Sequence, residues 1–342
     1  MSKKRRSPSG NPAKAGQRKA AGSKAARSRE GRSKEGRPAG PIPGDVTVAT
    51  FDPPAGVAYP QVLRTPGFAW WRSVLGVLVA VSLYFVVVSV VSQVVVLISY
   101  GITRPSTPYK DYYAQAQAFE LPAGMVGANL GIACLIPISF VVVMIVHQVR
   151  PQWLGSVRPR LRWRWLGISL GIAAVSLAAV FAVSTLFGPA VPIKPQPQFW
   201  IFMIVIVLTS PLQAAGEEYL FRGYLLQALG SIVRAPWFGV VASAVIFALF
   251  HGTQNVPLFI DRLAFGLLAA MLVWKTGGLE AAIGAHVINN VYAFGLAGLT
   301  GTVAQARAVQ QIGWVDALFD VGGFAVFAVP AWRTANKNRG GT

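Results

Sequence analysis

The sequence predicts an all-α protein, a polytopic transmembrane helical bundle of about eight spans around an internal polar cavity. Three observations predict it. The 342-residue chain is 54% hydrophobic and only 13% charged, whereas soluble domains carry about 25% charged residues. Long apolar runs recur along it, and a run of about 20 such residues matches the hydrocarbon thickness of a bilayer. Tryptophans stand at the ends of those runs, at Trp163, Trp165, Trp200, Trp237, Trp274, Trp314 and Trp332, as in the aromatic belts of membrane interfaces.

Residues 1–44 hold 13 Lys and Arg against 2 acidic residues and no aromatic. They lack the apolar surface needed to fold and read as a disordered basic tail. The partner expected for such a tail is anionic lipid. Nucleic acid is disfavoured, because the aromatics that stack on bases are missing. No apolar stretch of the signal-peptide kind follows. Residues 45–68 read as a Pro-containing linker and 69–332 as the transmembrane domain. Its spans are expected at 73–101, 122–147, 165–188, Phe199 to Leu229, 237–253, 258–274, 279–299 and 313–331. Residues 333–342 form a short basic tail. The one cysteine, Cys134, lies in the second run, so no intramolecular disulfide forms and it reads as a small core residue.

The net charge of +19 is spread unevenly. Eight spans with both termini cytoplasmic place the N-terminal tail, the arginine-rich 148–164 loop, Arg234, Lys275, Arg333, Lys337 and Arg339 on one side. The opposite loops keep only Arg104, Lys110, Lys194 and Arg307. That satisfies the positive-inside rule and predicts an integral protein of the cell (plasma) membrane.

Three places put strong polar groups into this apolar sequence, where ionisable residues are expensive and mark function by default. Glu217 and Glu218 stand together in the fourth run. Glu218 and Arg222 are an i,i+4 pair that can neutralise one another, while Glu217 points about 100° away without a local cation. One carboxylate is thus paired and the other free to act as a base. Phe247 and His251 are also i,i+4, so the ring can wall the imidazole. His286 and Asn290 share a face in the same way, with Asn289 close by. If the spans converge, Glu217, His251, His286 and Asn290 supply a carboxylate, two imidazoles and a carboxamide. Such a set can bind a divalent metal or activate water directly, with Asn290 donating to a developing oxyanion. The contiguous His-Glu-x-x-His zinc motif is absent. Asp261 and Arg262, and His147, read as interfacial residues, and Glu280 as a carboxylate complementing a helix start.

The segments Glu217-Glu218-Tyr219-Leu220-Phe221-Arg222, Phe247-Ala248-Leu249-Phe250-His251 and His286-Val287-Ile288-Asn289-Asn290 occur in that order. In this the chain resembles the CPBP intramembrane protease family, also called the CAAX-protease or Abi bacteriocin-processing family. The resemblance implies an eight-helix membrane fold and peptide-bond hydrolysis, with a membrane-associated protein or peptide as substrate. It implies Glu217 as the general base, His251 and His286 as metal ligands (zinc being the expected ion) or as groups orienting water, and Asn290 at the oxyanion. Glu218, Arg222 and Phe247 would support the site. Eukaryotic members trim prenylated CaaX proteins; prokaryotic relatives are linked to bacteriocin maturation and self-immunity. The alternatives are a non-catalytic membrane scaffold or immunity protein of the same fold, and an ion-coupled transporter. The clustering of polar groups in one half of the chain counts against the last.

Overall fold

The computed structural model describes residues 50–186 and 192–339, with side chains to 336. The basic segment 1–44, the start of the expected linker, residues 187–191 and the last three residues lie outside the described residues, as do the side chains of 337–339. Among the described residues the regular structure is helical apart from two isolated β-bridges. The helices are α1 (Trp70–Thr103), α2 (Tyr109–Gln117), α3 (Pro122–Ala133), α4 (Leu135–Val146), α5 (Gln152–Gly155), α6 (Trp163–Ser184), α7 (Phe199–Glu218), α8 (Leu226–Ile232), α9 (Pro236–Leu249), α10 (Val256–Thr276), α11 (Glu280–Thr300), α12 (Val303–Arg307) and α13 (Trp314–Arg339).

Among the described residues seven segments are long and apolar enough to cross a bilayer: α1, α3–α4, α6, the rod Phe199–Ile232, α10, α11 and α13. The eighth expected span is α9, an apolar helix of only 14 residues. At 1.5 Å per residue it is about 21 Å long, short of the hydrocarbon thickness. It stops early because Gly252 takes up a left-handed φ of 77°, a conformation that ends helices and that glycine adopts without strain. The break between α3 and α4 at Cys134 follows from Pro137, which lacks the N–H to bond residue 133 and whose ring presses on that carbonyl. The rod Phe199–Ile232 contains a π-helical stretch, Tyr219–Leu225, joining α7 to α8.

Apolar side chains on the outer helices, among them Leu78, Phe85, Val86, Ile204 and Leu208, are exposed, as suits helices whose solvent is lipid tails. Close helix approach relies on small residues. A Cβ added at Gly127 would meet the carbonyl of Ser92 at 2.9 Å, and one at Gly131 that of Val88 at 2.8 Å. These glycines let α3 lie against α1. Gly216 does the same for α7, since a Cβ there would collide with the Ile132 carbonyl.

Residues 50–68, expected as a linker, are irregular but docked. Tyr59, Val62 and Leu63 are buried, the Tyr59 hydroxyl donates to the Leu154 carbonyl, and Arg64 Nη2 donates to the Ile232 carbonyl at 3.1 Å. At the other end α13 continues to Arg339, so residues 333–339 are helical. His147, expected at an interface, is buried one residue beyond α4, 3.1 Å from the Tyr224 hydroxyl. Glu280 does more than complement a helix start. It is fully buried and takes both Nε (2.9 Å) and Nη2 (2.7 Å) of Arg162, plus the Arg162 backbone N–H at 2.8 Å.

Candidate active site

The last turn of α7, the π stretch, the end of α9 and the first half of α11 bring the polar groups together. Glu218 and Arg222 are both fully buried and form an ion pair at 2.8 Å. Glu218 Oε1 also lies 2.7 Å from Nδ1 of His286. The guanidinium of Arg222 lies over the Phe247 ring, 3.9 Å from its centroid, with Phe265 at 5.2 Å. Arg222 Nε and Nη2 have no hydrogen-bond partner among the described residues, so the two rings provide the cation's remaining favourable contact. Phe265 also stacks edge-on against His286, 5.1 Å away. Glu218, Arg222, Phe247 and Phe265 therefore form a rigid brace behind the His286 ring.

Glu217 lies on the next face of the helix, as the helical wheel expects, and retains 15% side-chain exposure. Gln213 Nε2 donates to Glu217 Oε1 at 2.7 Å, and Asn290 Nδ2 donates to Gln213 Oε1 at 2.8 Å. Gln213 thus ties α7 to α11 and links two expected site residues. Nε2 of His286 lies 3.4 Å from Glu217 Oε2. An ionised Glu218 can only accept, so it fixes the proton of a neutral His286 on Nδ1 and leaves Nε2 with a lone pair. Two acceptors, Nε2 and the Glu217 carboxylate, then face one another. One water donating to both would satisfy them.

His251 stands just beyond α9, accessible to solvent. Its Nδ1 lies 2.8 Å from the Phe247 carbonyl and its ring is edge-on to Phe247 at 4.7 Å. No hydrogen bond joins it to Glu217 or His286 among the described residues. The structure therefore gathers Glu217, Glu218, Arg222, Phe247, His286 and Asn290 into one connected cluster and sets His251 beside it. A cavity of about 530 Å³ opens between α6, α7, α11 and α13, with Ser184, Asn289 and Asp320 in an otherwise largely apolar wall.

Among the described residues no group of three or more His, Cys, Asp or Glu side chains is placed to hold an ion. His286 has each ring nitrogen facing a carboxylate, and His251 offers only Nε2. This set does not fit a zinc centre with three protein ligands.

Two residues, Gln213 and Phe265, escaped the sequence reading. Gln213 had a signal, a lone amide one turn before Glu217 in an apolar run. Phe265 had none, since nothing distinguishes it from other core aromatics. Arg262, expected at an interface, lies inside α10 and donates from Nη1 to Gln254 Oε1 at 3.0 Å, beside the His251 loop.

Residues 195–292 match the family model for the Rce1-like type II CAAX prenyl endopeptidases. A curated relative, the uncharacterized protein YyaK of Bacillus subtilis (strain 168), is 29% identical over 149 residues, which are 40% of this chain and 49% of that protein. The chain therefore spans about half the length of the curated relative it matches. No solved structure matches the chain.

Proposed function

We propose that this chain, a CAAX-protease-like membrane protein whose Rce1-like region covers residues 195–292, is an intramembrane endopeptidase in which Glu217 activates water. The observation that carries the reading is the facing pair of acceptors, Glu217 and Nε2 of His286, 3.4 Å apart. A water donating to both would present its lone pair away from them, toward a bound peptide carbonyl. Glu217 then takes the water's proton as its oxygen attacks. Gln213 holds the carboxylate in one rotamer, and the Glu218–Arg222 pair holds the imidazole by Nδ1.

Asn290 gives one amide hydrogen to Gln213 and keeps the other for the oxyanion that develops at the carbonyl. Glu217, now protonated, returns that proton to the departing amine. His251, accessible and with Nε2 free, suits a group that orients the substrate or relays the proton outward. The substrate class is a membrane-associated protein or peptide, reached from the cytoplasmic side if both termini are cytoplasmic, with anionic lipid as the partner of the basic tail. The plasma membrane is the proposed location.

The test compares membrane-protein termini in cells expressing wild type or Glu217→Gln at matched levels. Termini present with wild type and lost with the variant support hydrolysis. Identical termini, with the variant folded and present, overturn it in favour of a non-catalytic scaffold.

A further inference from the structure

The cavity between α6, α7, α11 and α13 touches the Glu217 cluster in two places. Asn289 lines it, and Asn289 Nδ2 donates at 3.4 Å to Oδ1 of Asn290, which is bonded through Gln213 to Glu217. Phe324 lines it too. The Phe324 ring lies 4.6 Å from that of Phe265, which faces His286 at 5.1 Å. From this level the cavity follows α11 past Gly295 to Leu299, toward the end of the helix. Its volume of about 530 Å³ and its mostly apolar wall are those of a ligand site, in which a few polar groups fix the orientation of an apolar guest.

Among the described residues Asp320 is the one charged side chain in that wall. It is exposed, inside the membrane-crossing part of α13. Its carboxylate makes no ion pair or hydrogen bond among the described residues. The helix dipole does not explain it, because that effect fades beyond the first turn. The first turn of α13 already has its own carboxylate: Asp316 Oδ2 accepts from the Gly313 N–H at 3.0 Å. Asp316 is one turn from Asp320, and like charges at i,i+4 repel. A carboxylate set at membrane depth beside a second one is a functional feature by default, and its natural partner is a cation. A lipid tail would fill the apolar space and leave Asp320 unmatched.

We propose that this cavity takes an apolar stretch of the peptide being cleaved, and that Asp320 binds a positive charge carried on that stretch. The charge is a Lys or Arg side chain or the terminal amine. Phe324 stands level with His286, and Asp320 is one turn away, about 6 Å along α13. An extended peptide advances about 3.3 Å per residue. Allowing for the width of the intervening rings, a chain leaving Glu217 along the cavity meets Asp320 after about three to five residues. Capture of the charge therefore sets which bond lies over Glu217. The ligand's identity as a peptide rests on the peptidase reading above.

Binding can be read without turnover, so the two ideas fail separately. The full-length Glu217→Gln protein in zwitterionic lipid nanodiscs is titrated with two pairs of peptides dansylated at the C-terminus, followed by fluorescence anisotropy. One pair is acetyl-Leu-Ala-Lys-Leu-Leu and acetyl-Leu-Ala-Gln-Leu-Leu; the other is Leu-Ala-Leu-Leu-Leu with a free and with an acetylated amine. A preference of about tenfold for Lys over Gln identifies the side chain and one for the free amine the terminus, a size set by one charge-assisted hydrogen bond. The preference should fall below about twofold when Asp320→Asn is added and persist with Asp316→Asn. Asp320 is exposed, so its variant is expected to fold. Gly295→Leu, which puts a side chain into the cavity, should weaken both members of each pair. Equal affinity within both pairs, no binding of any peptide, or a preference that survives Asp320→Asn overturns the proposal. Termini lost with Glu217→Gln alongside such a result would leave the peptidase reading standing.

Discussion

Replacing Arg222 by methionine removes the cation from the brace while keeping most of its volume. Glu218 then stays fully buried, with Oε2 already unpartnered and only His286 Nδ1 at 2.7 Å to stabilise Oε1. The loss contains a charge-assisted hydrogen bond of 2.8 Å, worth about 1.5–3 kcal/mol, and a desolvated cation–π contact at 3.9 Å, worth about 2 kcal/mol. Breaking a buried pair from one side costs about 3–5 kcal/mol, in line with those two contributions. The double variant Glu218→Gln with Arg222→Met leaves no orphaned charge and should recover much of that loss. Unfolding of the full-length protein in mixed micelles, followed by tryptophan fluorescence, would compare wild type with the single and the double variant. A single variant within about 0.5 kcal/mol of wild type, or a double variant less stable than the single, would refute the account of the brace, because surface-like behaviour is incompatible with an uncompensated buried carboxylate.

Two further outcomes follow from the geometry. Gln213→Leu frees the Glu217 carboxylate and breaks the tie to Asn290. Cleavage should fall about 10- to 100-fold with stability changed by about 1 kcal/mol or less, since positioning losses weigh more on rate than on folding; unchanged turnover on a substrate found by the terminus comparison would count against it. His147, buried beside Tyr224 and near Arg72, has its pKa lowered to about 4, by burial first and the Arg72 charge second. The unfolded chain therefore binds a proton that the folded chain refuses between about pH 6.5 and 4, and stability declines as pH falls through that window. His147→Phe should flatten the decline, at the cost of the Tyr224 contact, in melting curves recorded from pH 7 to 4.

The spans were legible because lipid-facing surface needs only composition and length, and α1, α6 and α13 carry it plainly. The site was legible because i,i+4 spacing is local: Glu218 and Arg222 lie on one helical rod, and His251 follows Phe247 in the turn that ends α9. Contacts between distant segments left no such trace. Tyr59 reaches Leu154 across 95 residues and Arg64 reaches Ile232 across 168, so the docking of 50–68 has no periodicity to announce it. The shortness of α9 depended on where Gly252 ends the helix, and an apolar run alone does not mark that point. Gln213 shows the intermediate case. Its spacing to Glu217 was in plain view, but its bond to Asn290 required knowing that α7 and α11 pack side by side.

The π stretch Tyr219–Leu225 has a consequence for how this chain can vary. In an α-helix a one-residue insertion or deletion rotates everything beyond it by about 100°. A turn bonded from i to i+5 absorbs such a change locally. The phase between Gln213 and Glu217 on one side and the Leu226–Ile232 face on the other is therefore set by this wide turn. Arg222 sits within it, so a residue removed there would leave both flanking helices seated while swinging the guanidinium away from Glu218. Length changes that the scaffold can accommodate are thereby ones that the site registers at once.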